Sequence, residues 1–179
     1  TEDTIRTAAS KIEQPVSRLH HALFWFLRID HVDETALSYL QSNDTTKAAE
    51  IWSLAVRDKS ITSKNFAAAH NLATLQFLIS SLADPLDFEV FEAAVRLKGR
   101  AVSAGFDEFS KYVVGDKVFV DRSEVLRLFS DDLIHFSDSY DGREEELVSA
   151  FSEFPANVRS YVNGKLTNRP LENIREQIE

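Results

Sequence analysis

The sequence contains no Cys among its 179 residues, and it contains no Met. Without Cys the chain has no disulfide framework, no thiolate metal ligand and no cysteine nucleophile. The absence of Cys suits a reducing compartment, and we expect a cytoplasmic protein. Because the chain begins with Thr1 and has no Met, we also expect it to be part of a longer translation product.

Basic charge and long apolar runs are also scarce. The chain carries 20 basic and 29 acidic residues, which gives a formal net charge of −9. Nucleic acids and anionic membranes bind basic surfaces, so this acidic balance argues against both. The longest apolar run covers 22–27, whereas a membrane-spanning helix needs about 20 such residues. We therefore expect no nucleic-acid binding and no membrane insertion, and we expect the partner to be a protein or a peptide.

Gly and Pro are too few to divide the chain into many short strands. There are five Gly and four Pro, and apolar residues recur at helical spacing almost throughout. We predict one all-α domain over 1–179, built as antiparallel helical hairpins or as an irregular bundle of about nine or ten helices. Residues 121–179 are a candidate C-terminal helical subdomain.

Local start and stop signals set the expected helix bounds. Asp33, Asp44 and Asp121 are predicted N-caps, the last within a capping box. Gly105 is predicted to end a helix, and residues 114–120, the one stretch with strand character, are better interpreted as a turn at Gly115. The predicted helices cover 3–13, 15–28, 34–42, 45–58, 64–82, 85–104, 106–113, 121–137 and 143–153, with a short one from Pro155 and a terminal one from Pro170.

Two predicted helices, 15–28 and 64–82, are apolar on every side. Such a helix is normally buried between neighbours, so we expect these two at the centre of the fold. The alternative for the first helix is an exposed docking patch at Phe24 and Trp25. The basic triplet of Arg96, Lys98 and Arg100 is interpreted as a solvated helix face.

Residues 36–55 have the pattern of a helical hairpin. Ala36, Leu37 and Leu40 form one apolar face, and Ala48, Trp52 and Ala55 form the facing stripe across a turn at 43–44. Residues 67–78 repeat the first half of this unit. The pattern over 36–82 resembles a tetratricopeptide array, although the Pro that normally follows the second helix is missing and no third copy is visible. An ordinary hairpin with the same spacing is the alternative.

A fainter resemblance lies at 8–26, where Pro15 and the run Leu23–Phe26 are similar to helical regions of bacterial J-domain-associated proteins. The His-Pro-Asp tripeptide of J-domains is absent from the chain, so the resemblance implies a chaperone-associated adaptor without J-domain activity. The tetratricopeptide resemblance implies a concave partner-binding face, for which the candidate residues are Tyr39, Asn43, Asn65, His70 and Asn71.

Motifs that carry catalysis or bind cofactors are missing. Neighbouring His20 and His21 point in different directions on a helix, and no His-Glu-x-x-His, P-loop or nucleophile-elbow pattern occurs. His70 is interpreted as a hydrogen-bonded core residue. We predict a non-catalytic protein-interaction domain without catalytic residues, cofactor or metal. The alternatives are a helical enzyme whose acidic and His residues meet only in the fold, and a self-associating structural module.

Overall fold

The computed structural model describes residues 13–57, 59–83, 87–138 and 142–176, with side chains described as far as 167. Eight α-helices and one 3₁₀ turn make up most of these ranges: α1 Pro15–Ala22, α2 His31–Gln41, α3 Thr45–Val56, α4 Phe66–Leu82, α5 Phe88–Val114, α6 Arg122–Ser137, α7 Glu144–Ala150, the 3₁₀ turn Phe151–Glu153 and α8 Ala156–Glu176. These ranges contain no strand, which confirms the all-α class. The helix predicted over 3–13 lies, apart from its last residue, outside the described ranges.

The core consists of two hydrophobic clusters that meet along α4 and α5. The larger cluster joins α1, α5, α6, α7 and α8, and it contains most of the buried phenylalanines. The smaller cluster joins α2, α3 and α4 to α5 through small side chains and Trp52. Every residue from Phe66 to Leu75 is buried, which confirms that α4 lies at the centre of the fold. No helix within the described ranges is both long and apolar enough to cross a bilayer.

Helices α2 and α3 form the predicted hairpin, and its turn depends on a left-handed residue. Asn43 has φ +61°, a conformation that Asn tolerates better than most residues. The Asn43 and Asp44 N–H groups donate to the carbonyls of Leu40 and Tyr39, both at 2.9 Å, so the end of α2 is capped by backbone bonds. Asp44 then caps α3 by accepting from Lys47 N at 2.9 Å, as predicted.

Of the other two predicted N-caps, one is confirmed and one is wrong. Asp121 caps α6 by accepting from Ser123 N at 2.8 Å, which confirms the predicted start. The predicted N-cap at Asp33 is wrong, because α2 begins three residues earlier with Asp30 as its cap. Asp33 occupies the third helical position of that capping box and accepts from the Asp30 N–H. Its other carboxylate contacts lie inside the fold.

Helix α1 ends at Ala22, so its predicted continuation to residue 28 is wrong. Residues 23–25 form a turn and a bend, and 26–29 have no regular secondary structure. We call residues 23–30, which join α1 to α2, the linking segment. Its apolar residues continue the helical spacing of α1, and the N–H groups of residues 23–25 still donate to carbonyls of α1. The carbonyls of Leu23, Trp25 and Leu27, however, bond to side chains of α4 and α5.

Helix α5 contains the predicted break at Gly105, where two helical stretches meet at a kink. Gly105 has the non-helical angles φ −136° and ψ +22° at this point. The helix ends at Val114, and Gly115 with φ +92° begins the loop to α6. No strand forms at 114–120, in agreement with the turn interpretation. Helix α8 is longer than predicted. A short helix from Pro155 and a separate one from Pro170 were predicted, but one helix runs from Ala156 to Glu176.

Candidate functional site

Side chains of α4 and α5 bond to the carbonyl groups of the linking segment, which no further helical turn pairs. The Leu23 carbonyl accepts from Lys98 Nζ at 2.9 Å, and His70 Nε2 lies 2.9 Å from the Trp25 carbonyl. Asn71 pairs with the backbone of Leu27 in both directions, accepting from its N–H at 2.7 Å and donating to its carbonyl at 2.8 Å. Backbone groups must be paired when they are buried, and here α4 and α5 supply the partners.

Lys98 lies at the centre of this polar network. Its side chain is 0% exposed, and Nζ donates to the Leu23 carbonyl, to the His70 carbonyl at 3.0 Å and to Thr74 Oγ1 at 2.8 Å. All three acceptors are neutral oxygens, so hydrogen bonds and not an ion pair satisfy the amine. Burial lowers the pKa of Lys98 well below its usual range.

The network continues to the hairpin α2–α3 through the carboxylate of Asp33. Asp33 Oδ1 accepts from Asn71 Nδ2 at 2.8 Å and from Trp52 Nε1 at 3.1 Å, and Oδ2 accepts from the Ile29 N–H at 3.2 Å. Burial raises the pKa of Asp33, while these hydrogen bonds oppose the shift. The buried polar groups thus connect the linking segment to four helices, α2, α3, α4 and α5.

His70 gives the network a predicted pH dependence. Burial and the neighbouring Lys98 charge lower the pKa of His70 well below 6.5. Below pH 6.5 the unfolded chain therefore binds a proton that the folded chain excludes, and the free energy of unfolding falls as the pH falls. We expect a slope of up to about 1.4 kcal/mol per pH unit. Urea unfolding between pH 7.5 and 5.5 measures it.

The variant His70→Gln isolates this contribution, because it removes the titrating group. We expect its unfolding free energy to change less over the same pH interval than that of the wild type. His135→Gln, at a side chain 90% exposed, is the matched control and should keep the wild-type slope. A wild-type slope in His70→Gln would show that other groups cause the dependence.

The five residues predicted to contact a partner do not share one surface. His70 and Asn71 are 1% and 0% exposed and belong to the polar network, so they do not lie on a partner-binding face. The interpretation of His70 as a hydrogen-bonded core residue is confirmed. Asn65 accepts from the Thr62 N–H at 2.8 Å and organises the loop before α4.

The other two candidates, Tyr39 and Asn43, lie at the exposed end of the α2–α3 hairpin. Asn43 has the conformational role described above, and 37% of Tyr39 is exposed. A binding role for these two residues stays a prediction, since no contact in the structure tests it.

An apolar groove of about 560 Å³ opens beside the network, and sequence reasoning did not predict it as a unit. Four parts of the chain line it: the linking segment, α4, α5 and α6. Its apolar lining is formed by Phe24, Phe26, Phe77, Leu78, Phe91 and Phe136. We call this the apolar groove. Its volume lies in the range of ligand-binding clefts, which are mostly apolar with a few polar groups.

Phenylalanine rings of the groove lining contact one another and the buried ring of Phe129 beneath them. Phe24 lies 4.9 Å from Phe129 between ring centroids, Phe77 lies 5.8 Å from Phe91, and Phe91 lies 5.0 Å from Phe136. Such tilted pairs stabilise each other beyond the area they bury. The groove is therefore lined by packed side chains of the core.

The two long walls of the groove differ in charge. Helix α4 has no Asp, Glu, Lys or Arg, and its last turns expose Leu78, Ile79 and Leu82. Helix α6 contributes Asp132 and His135 to the groove lining. The Asp132 carboxylate is 51% exposed although it lies 2.7 Å from His20 Nε2. One wall is thus an uncharged apolar helix face and the other has a half-exposed carboxylate.

Lys98 is the residue that sequence reasoning misinterpreted most clearly. The triplet Arg96, Lys98 and Arg100 was predicted to be a solvated face, yet Lys98 is fully buried while Arg100 is exposed. The sequence contains the signal, because Val95 and Val102 stand three residues before and four after Lys98 and are both buried. A lysine within such an apolar stripe is predicted to be buried with polar partners.

The polar network and the groove adjoin at Thr74, which donates to the His70 carbonyl and also lines the groove. Among the described residues, no group of three His, Asp or Glu side chains is placed so that it could hold a metal ion. The arrangement therefore offers an apolar recess with a rigid polar support behind it.

No protein-family model matches the chain, and neither a curated protein nor a solved structure matches it. The tetratricopeptide resemblance of residues 36–82 stays a prediction. The site is therefore interpreted from its own geometry.

Proposed function

We propose that this chain is a non-catalytic protein-interaction domain whose apolar groove binds an amphipathic helix of a partner protein, with basic residues along the edge that faces α6. The observation that carries the proposal is the open apolar groove beside an uncharged, partly exposed helix face. The adaptor setting implied by residues 8–26 is consistent with this function and rests on that resemblance alone.

A helix is the occupant that suits the shape of the groove. Its two long walls are themselves helices, α4 and α6, and side chains of a third helix can pack between them. Helix-in-groove recognition places apolar side chains at every third and fourth position into such a cleft. Leu78, 47% exposed at the edge of the groove, is placed to contact them.

The charge of the chain selects a basic helix over an acidic one. The net charge is −9, and Asp132, which lines the groove from α6, is 51% exposed. Complementary charge at the edge of an apolar contact directs approach and orientation more than it adds affinity. We therefore expect Lys or Arg next to the apolar face of the partner helix.

The proposal is tested with Leu78→Asp, which places a carboxylate in the groove. A fluorescein-labelled helical peptide of leucine and lysine is titrated with the protein, and anisotropy gives Kd. We expect the substitution to weaken binding about tenfold or more, since an apolar surface covers a charge unfavourably. Leu54→Asp is the matched control, because Leu54 is 60% exposed on α3 and does not line the groove.

A second peptide with glutamate in place of lysine tests the charge of the partner, and we expect it to bind more weakly than the lysine peptide. Equal affinity of both peptides would contradict the basic partner. Absence of binding, or equal loss in Leu78→Asp and Leu54→Asp, would contradict the groove itself. A concentration-dependent dimer that Leu78→Asp dissolves would instead identify a second copy of the chain as the occupant.

A further inference from the structure

The linking segment forms one wall of the groove, and side chains of α4 and α5 bond to the backbone of every second residue in that wall. Phe24 and Phe26 line the groove. The residues on either side of them, Leu23, Trp25 and Leu27, have backbone groups bonded to Lys98, His70 and Asn71 respectively. Each lining phenylalanine therefore lies between two backbone attachments. The N–H groups of residues 23–25 still donate to carbonyls of α1, and the side-chain attachments hold the carbonyl groups of the segment in one conformation.

Lys98 also reaches the opposite wall. The same Nζ that holds the Leu23 carbonyl donates to Thr74 Oγ1 at 2.8 Å, and Thr74 lines the groove from α4. Nζ lies 6.0 Å from the ring centroid of Phe77, another lining residue. One buried amine thus determines the spacing between the linking segment and α4.

We propose that Lys98 is a positioning residue of the apolar groove, which it holds in its binding conformation before a partner arrives. This inference rests on the function proposed above, because it explains how the same groove is kept in the conformation that binds the partner. A preformed site binds more tightly than one that must be ordered on binding, since the ordering cost is already met. Loss of the Lys98 bonds should therefore weaken binding although Lys98 touches no ligand.

The arrangement also implies that binding in the groove affects the polar network. Phe26 stacks on Trp52 with ring centroids 5.7 Å apart and planes at 9°, and Trp52 Nε1 donates to Asp33 of the network. Trp52 is fully buried and does not line the groove. Because coupling between two sites is reciprocal, a helix that contacts Phe26 should change the environment of the Trp52 indole.

The test compares Lys98→Met with Lys111→Met, and acrylamide quenching reports mainly Trp25 because Trp52 is 0% exposed. Methionine keeps the length of the apolar stem without the donors, and Lys111 is an exposed lysine of the same helix. We expect Lys98→Met to weaken binding of the leucine–lysine peptide about tenfold and to increase acrylamide quenching of Trp25. Lys111→Met should change neither quantity.

The two readouts separate this inference from the proposed function. A folded Lys98→Met with wild-type Kd and wild-type quenching would overturn the positioning role. If the peptide does not bind the wild type but Lys98→Met still exposes Trp25, the groove function fails and the positioning of the segment stands.

If Lys98→Met does not fold, Thr74→Val takes its place, because it removes one acceptor of Lys98 Nζ, and unchanged quenching of Trp25 in that variant would overturn the positioning role. A measurement on the wild type tests the coupling through Phe26 separately. The Trp52 indole N–H resonance is followed by NMR while the leucine–lysine peptide is added. A shift that saturates with peptide binding supports the coupling through Phe26. Saturated binding with an unchanged Trp52 indole resonance would overturn it.

Discussion

Replacing Asn71 with Ala is expected to lower the free energy of unfolding by about 3–5 kcal/mol. The Asn71 amide is fully buried and makes three hydrogen bonds, two to the backbone of Leu27 and one to Asp33. The substitution leaves a buried N–H, a buried carbonyl and a buried carboxylate oxygen with fewer partners. Each such group costs about 1–3 kcal/mol when it is left unpaired. Urea unfolding followed by far-ultraviolet circular dichroism measures the change.

Asn163→Ala is the matched control for this substitution. Asn163 is an exposed residue of α8, and Ala has the higher helix propensity. We expect its unfolding free energy to stay within about 0.5 kcal/mol of the wild type. A loss below about 1 kcal/mol in Asn71→Ala would mean that water replaces the amide, and the linking segment would then not depend on α4.

The fold follows from the sequence wherever the deciding interactions are local. The caps at Asp44 and Asp121 were predicted because a carboxylate and the N–H groups it binds lie within three residues of each other. The burial of α4 was predicted because apolar residues surround its axis. These features need no knowledge of the remaining chain.

The end of α1 could not be predicted in this way. Residues 23–28 continue the helical spacing of α1, and local propensity favours a longer helix. The helix stops because Lys98, His70 and Asn71, from 44 to 75 residues away along the chain, bind the backbone of the linking segment. These three polar contacts join residues that are far apart in sequence, so local spacing does not predict them.

For the groove, the apolar character of its residues could be predicted from the sequence, but their arrangement in space could not. The apolar character of Phe24 and Phe77 was evident, and an exposed patch at Phe24 and Trp25 was one of the two alternatives for that region. The structure combines both alternatives, since Trp25 is 44% exposed while Phe24 is half-buried in the groove wall. Which side chains converge depends on how α4 and α6 are placed, and spacing along one helix does not determine that placement.

Gly105→Ala is expected to destabilise the fold by about 3 kcal/mol, although Ala favours helices. A Cβ at residue 105 would collide with the Phe66 side chain, including its Cβ at 2.5 Å. Phe66 is the first residue of α4 and is buried in the larger cluster. Because the collision involves Cβ and not only the ring, rotation of the ring cannot relieve it. Helices α4 and α5 would have to separate, and urea unfolding would report the loss.

Substitutions at two other glycines allow the predicted effects on stability to be ranked. At Gly164, in α8, a Cβ meets no atom within 4 Å, so Gly164→Ala should stabilise by up to about 1 kcal/mol. At Gly99 a Cβ would meet the Phe154 ring at 2.6 Å, and Gly99→Ala should fall between the other two because a ring can turn. If Gly105→Ala is as stable as Gly164→Ala, the close contact of α4 and α5 at Phe66 is wrong. The groove depends on the same contact, since α4 and α5 both contribute to its lining.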